Sequence, residues 1–421
     1  MLRILICILL GVLCSCAGQR DRHLEYALKQ AGENRAELEK VLAYYANDSL
    51  KLEAAKFLIR NMVYHIGIYD TLLNASGQAC RSDIPYMPYQ DERVAQIYDS
   101  LFRNGYRVRN VKKKDIEVAT ADFLIENIDC AFVAWQKPWA KCLSFEDFCR
   151  YVLPYRLSNE PLATLRREMQ NRYFPILDSA RVTNPIDACM LLNKTLKGNL
   201  GFVGILPLYS SVESVDKMRW SNCEGIAMYA AFLMRAVGVP VVMDCTIWAK
   251  SSDGHVWCAV MDEKGKWHGF GVAELTCEQH KEFFSQKKWL VPPKVYRRVF
   301  MPESAERDVP DDGYRTYVKN PLYKDVTADY YVPPVDIEVE LPKKPEGKKV
   351  SYVYLCASAV NDFKVLAVGV RHGRKCIVKD VVGDNTFLLA ESPDGTNLSF
   401  LTDTFYVDSV GRIARPIKFT K

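Results

Sequence analysis

Residues 221–240 read SNCEGIAMYAAFLMRAVGVP. Apolar and small side chains at three- and four-residue spacing predict a helix that opens at Cys223 and closes at Gly238. An apolar strand follows over 239–248, then a polar loop, then Gly254-His255-Val256-Trp257. A cysteine at a helix N-terminus faces free backbone N–H groups and the positive end of the helix dipole, so its pKa is expected to fall and its nucleophilicity to rise. A histidine on a strand 255 − 223 = 32 residues later can supply the base. No other stretch of the chain speaks as directly of chemistry.

Working outward, NPIDACMLLNKTLKG reads as a helix and GFVGILPLYS as an apolar extended segment, and Met218-Arg219-Trp220 leads into the cysteine helix. Three strands come after it: VPVVMDCTIW, HVWCAVM and KWHGFGVAE, the last two joined by a turn at Asp262-Glu263-Lys264-Gly265. A helix bearing a cysteine, packed on an antiparallel sheet that brings in a histidine, is the layout of papain-like thiol enzymes, in which nucleophile and base meet across the helix-sheet seam.

The run from Trp220 to Trp267 resembles the transglutaminase-like core family. Its pattern is a Cys near a helix start, a Leu-Arg-Ala-Gly-Ile-Pro-like run, and His-x-Trp on a strand. The matching positions are Cys223, then Arg235-Ala236-Val237-Gly238-Val239-Pro240, then His255-Val256-Trp257, with Trp267 after the hairpin. The resemblance implies that Cys223 is the nucleophile and His255 the general base. Where related proteins place an Asp four residues after the tryptophan of the next strand, this chain has Gly271. Pairing Asp262 with Gly265 makes opposite residues sum to 527, which puts Glu274 on the same face as His255 and diagonal to it. Glu274 is therefore the expected orienting acid. A one-residue change in the loop flips that parity, leaving Asp244, Asp262 or no acid as alternatives. Trp220 and Asn222 suit either oxyanion stabilisation or, respectively, packing and helix capping. His268 and His280 follow polar residues and are expected to be solvated, and His372 lies in the turn RHGRK.

The flanks give an α+β chain. Residues 16–184 form a mainly helical layer expected to pack on the core of residues 185–302, with runs such as LEYALKQAGENRAELEKVLAYYA and an Asp48-Ser49 cap before LKLEAAKFLIRNMVYHI. LLNASGQACRSDIPYMPY reads as a loop. Residues 303–335, rich in Pro, Asp and Tyr, read as an extended linker, and 336–421 alternate as short strands with turns at Gly373, Gly383-Asp384 and Gly395, a small sandwich-like all-β domain.

The chain of 421 residues is 49% hydrophobic, enough for two or three folded domains. Its 56 basic and 51 acidic residues are interspersed, with no basic block of the kind that tracks nucleic acid phosphates. Residues 1–16, MLRILICILLGVLCSC, carry an apolar core too short to span a bilayer and read as a signal segment, residues 1–15 being removed. Leu13-Cys14-Ser15-Cys16 resembles a bacterial lipobox. That implies a diacylated Cys16 as membrane anchor, on the periplasmic face or the cell surface. Eleven cysteines remain once Cys7, Cys14 and Cys16 are set aside, an odd number, so at least one thiol stays free. Cys130, Cys149, Cys189 and Cys258 sit in apolar runs and are expected in the core. No CxxC pair or Cys/His cluster has zinc spacing, and no cofactor is expected.

Two functions follow. One is a lipid-anchored thiol enzyme acting on peptide or glycopeptide amides by acyl transfer or hydrolysis. The other is a non-catalytic lipoprotein that keeps the fold to hold a glycan or protein partner.

Overall fold

The computed structural model describes residues 21–80, 91–204, 206, 208–250, 253–286, 291–303, 314, 316–341, 351–359 and 362–414. The signal segment and Cys16 lie outside the described residues. No helix among the described residues is long and apolar enough to cross a membrane. The chain divides into two compact units, Met1–Ile66 with Lys113–Ile128, and Gly67–Lys112 with Asp129–Lys421.

In the first unit, helices Arg22–Gln30, Arg35–Tyr44 and Ser49–Met62 bury Leu28, Leu38, Val41, Leu58, Ile59 and Met62. The sequence places caps where the helices begin. The Asp21 carboxylate accepts from Leu24 N–H at 3.0 Å, and Asp48, as the sequence predicts, from Lys51 N–H at 3.1 Å.

The second unit contains three sheets that matter here. The first is small, with β1 (Ile66–Leu73) between β2 (Ala79–Cys80) and β3 (Arg107–Lys114). This sheet was not expected in a region read as helix and loop. β3, RVRNVKKK, has almost no buried face, so it lacks the alternation that marks a strand in sequence. Apart from these sheets, a two-residue parallel pair, β4 (Gly201–Phe202) and β5 (Trp220–Ser221), leads to the cysteine helix, Cys223–Ala236, which packs on the second sheet. The helix meets β6 (Val241–Ile247) and β7 (Gly254–Met261), which continue into β8 (Trp267–Phe270), β9 (Tyr296–Arg298) and β10 (Tyr323–Asp325). The order of this five-stranded antiparallel sheet is β10-β9-β6-β7-β8.

The cysteine helix is buried along most of its length, Ala227 to Ala236. It ends in a Schellman motif, with Val239 N–H bonded to Met234 O at 2.9 Å and Gly238 N–H to Arg235 O at 3.1 Å. Gly238 has φ +91°, and a Cβ there would meet Ala134 O at 2.7 Å. Its last-turn carbonyls are satisfied by Trp139 Nε1, donating to Val237 O, and Gln170 Nε2, donating to Ala236 O, both at 2.8 Å.

The C-terminal strands are β11 (Val335–Glu340), β12 (Ser351–Ala359), β13 (Asp362–His372), β14 (Lys375–Val381), β15 (Asn385–Glu391), β16 (Ser399–Phe400), β17 (Phe405–Val407) and β18 (Ile413–Ala414). They pair in the order β11-β14-β13-β12-β15-β17-β18, with β16 beside β15. Ile337 from the first strand of that path and Phe405 and Val407 from the sixth share one buried cluster with Leu355 and Phe387, so the sheet curls over its own core. Tyr296 of β9 packs on Tyr354, Cys356 and Leu388, with Cys245 of β6 and Tyr323 of β10 beside it, seating this sheet against the β10-β9-β6 part of the five-stranded one.

Candidate active site

Cys223 is the first residue of its helix. Asn222 caps that helix, its Oδ1 accepting from Gly225 N–H at 2.9 Å. Gly225 is required by close approach, since a Cβ there would press on Ser210 Oγ at 2.7 Å. Trp220 is buried against Val94, Tyr98, Val203 and Met218.

β7 runs antiparallel to β6 in unbroken register, Thr246 facing His255 and Asp244 facing Trp257. Alternation sends Val256 and Cys258 to one face, where Cys258 Sγ donates to Ala227 O of the cysteine helix at 3.3 Å. His255 shares the other face with Trp257. Its imidazole stacks between Trp248 and Trp257, ring centroids 6.1 and 5.7 Å away, with Phe284 behind both indoles. The Val256 amide, next to His255 in the chain, lies near enough to the Cys223 thiol to lower its pKa. Although His255 is on the strand face turned away from the helix, Cys223 and His255 both line one cavity of about 940 Å³, lined also by Phe202, Asn222, Trp257 and Glu274.

The electrostatics depart from the expectation of an acidic thiol. Burial pushes Cys223 above its ordinary value, the Val256 amide opposes this, and the Glu224 carboxylate adds to it. The helix terminus is therefore outweighed by desolvation. Burial also holds the His255 imidazole below its usual range. At neutral pH the pair rests as thiol and neutral imidazole, and among the described residues no hydrogen bond joins the two.

The expected third member is placed differently. Opposite residues of β7 and β8 sum to 528, with Met261 facing Trp267 and Cys258 facing Phe270. The loop holds three residues, because Asp262 N–H bonds Lys266 O at 2.8 Å and Gly265, at φ +78°, turns the chain. Two donors on Asp262 Oδ1, Lys264 N–H and Lys266 N–H at 2.9 Å each, hold that geometry. The strand then stops at Phe270, and Gly271–Leu275 closes a turn, with Leu275 N–H bonded to Gly271 O at 3.0 Å. Glu274 is exposed on that turn at the cavity wall and makes no hydrogen bond to His255. The alternatives are otherwise engaged. Asp262 Oδ2 pairs with His268 Nε2 at 2.8 Å. Asp244 is fully buried against Arg297 at 2.8 Å and takes the Tyr330 hydroxyl at 2.6 Å, and that hydroxyl accepts from Trp257 Nε1 at 2.7 Å. Among the described residues, no carboxylate is hydrogen-bonded to His255.

His280, expected in solvent, is buried instead, with Nδ1 3.1 Å from the Tyr331 hydroxyl and its pKa pushed down to about 3 by burial and then by His255. Four residues before Phe284 on its helix, it belongs to that helix's inner face, a spacing its polar neighbours hide.

The sequence reading also missed a polar clamp on the helix start. Glu224 Oε1 accepts from Tyr209 OH at 2.8 Å, Arg298 Nη1 at 3.0 Å and Ser158 Oγ, which Arg298 also contacts. The only local signal was an acidic residue in a first helical turn. No three His, Cys, Asp or Glu side chains among the described residues converge as a metal site.

Residues 178–271 match the model of the transglutaminase-like superfamily. A solved structure from Cytophaga hutchinsonii, described as a candidate cysteine protease, is 16% identical over 27% of this chain and 37% of that one, with a TM-score of 0.22. No curated protein matches. The family match covers the helix and strand that hold Cys223 and His255, so residues 178–271 form a transglutaminase-like domain.

Proposed function

We propose that this chain is a lipid-anchored, extracytoplasmic thiol enzyme that hydrolyses or transfers the acyl group of a peptide or glycopeptide amide. The observation that carries the reading is the shared cavity of about 940 Å³ into which Cys223 and His255 both open. As the substrate arrives, His255 takes the Cys223 proton and the sulfur bonds to the carbonyl carbon. The backbone N–H groups of Cys223 and Glu224, which lower the thiol pKa, would stabilise the oxyanion. His255 returns the proton to the leaving nitrogen as the C–N bond breaks, and water resolves the thioester. The anchor rests on the Leu13-Cys14-Ser15-Cys16 run.

The test is turnover of peptide amides and cell-wall glycopeptide fragments by the wild type and by Cys223→Ala. Loss of at least about a thousandfold is expected. A Cys223→Ala protein that keeps its rate refutes the assignment. One observation favours the second reading, a binding lipoprotein: no carboxylate orients His255. In that case Cys223→Ala and wild type would bind the same fragments equally and turn over none.

A further inference from the structure

A second cavity lies beside the helix start: Asn222 lines both it and the one holding His255, and Cys223 lines only the latter. Glu224, Asn222 and Gly225, which flank Cys223, line this second cavity of about 220 Å³, with Asp70 and Asn110 from the small β2-β1-β3 sheet and Ile68, Leu208 and Met228 among its walls. The reaction proposed above assigns the two sides. His255 must protonate the leaving nitrogen, so the leaving portion of the amide occupies the His255 side, and an incoming water or amine enters there by microscopic reversibility. The acyl portion, bonded to the same carbonyl carbon, extends away from His255, and across the shared Asn222 wall the second cavity is the one it would enter.

The lining of that cavity is chemically one-sided. The Asp70 carboxylate is fixed by Tyr209 N–H at 2.7 Å and Asn110 Nδ2 at 2.8 Å, both neutral donors, and no cation pairs with it among the described residues. Glu224 contributes a second carboxylate, with only its Oε1 tied to Arg298, Tyr209 and Ser158. No Lys or Arg lines the cavity. Apolar walls with a preorganised carboxylate suit an alkyl chain ending in an ammonium group.

Resting on the thiol-enzyme reading, we infer that the second cavity selects acyl donors whose acyl group carries an alkylammonium, with Asp70 as its specificity-determining partner. The acceptor plays no part in this selection.

The experiment is acylation of the full chain by β-alanyl and 6-aminohexanoyl benzyl thioesters against their N-acetyl counterparts. In each, the Cys223 S–H proton passes to His255, the acyl carbon bonds to sulfur and benzyl thiol leaves. The Cys223 adduct is followed by mass spectrometry, and each rate is divided by that of N-acetylcysteine with the same donor to remove intrinsic reactivity. A preference of roughly fivefold for at least one ammonium donor is expected, the scale of a partly solvated ion pair. Asp70→Asn should erase it, and Asp70→Lys should turn the preference towards an adipoyl monothioester, an inversion that misfolding cannot mimic. Adducts formed without charge preference, or a preference untouched at Asp70, overturn this inference and leave the nucleophile standing. Protection of Cys223 by free methylamine through Asp70 would place the ammonium on the acceptor and also defeats it. No Cys223 adduct with any donor removes the thiol-enzyme reading itself and this inference with it.

Discussion

His255 is held by faces rather than by a hydrogen bond. In place of a carboxylate to fix the tautomer and orientation of the imidazole, two indoles stack on it and shield it in part. Removing one of them should expose the ring. In Trp248→Ala the His255 pKa, followed by NMR titration, is expected to rise towards the ordinary imidazole value, because burial is what depresses it. Acyl-transfer rate should fall alongside. An unchanged pKa would mean that the stack does not desolvate the ring. Cys223 has a complementary signature. With its thiol pushed up by burial, its iodoacetamide labelling rate should keep climbing with pH beyond the ordinary thiol range, with no plateau near neutrality. The pair itself was legible in sequence because a helix start, a His-x-Trp strand and the spacing between them are local features. Glu274 was not, because its placement hung on one residue of loop length, and Asp262 with Gly265 chose the three-residue loop.

At the scale of elements, glycine marks both the end of the cysteine helix and the turn that sets the β7-β8 register. Gly265 has φ +78° with open space where a Cβ would go, so Gly265→Ala pays only the left-handed backbone cost, about 1 kcal/mol in urea unfolding. Gly238→Ala adds contact with the Ala134 carbonyl and should cost clearly more, about 2–4 kcal/mol. Equal losses at the two sites would contradict the close approach. Helices with caps and apolar stripes, and C-terminal strands bounded by Gly turns, were readable from sequence. β3 was not, being mostly polar and exposed along nearly its whole length.

Across the molecule, the buried Asp244–Arg297 pair ties β6 to β9 and, through Tyr330, to Trp257 beside His255. Asp244→Asn leaves Arg297 charged in a dry interior and should destabilise the fold by about 3–5 kcal/mol, measured by chemical denaturation. The pair spans 53 residues of sequence and carries no local motif, so only the folded sheet reveals it. The curl of the C-terminal sheet was likewise hidden: turns announce strands, but which edges meet over a common core is a long-range outcome. The eleven cysteines bring a final consequence at this scale. Among the described residues none of them forms a disulfide, and most are buried, whereas Cys142 is exposed and Cys80 partly so. A general electrophile meeting the folded chain will tag Cys142, remote from the reaction, before it finds Cys223. Total label uptake would then track surface accidents, and occupancy of the nucleophile becomes visible only peptide by peptide.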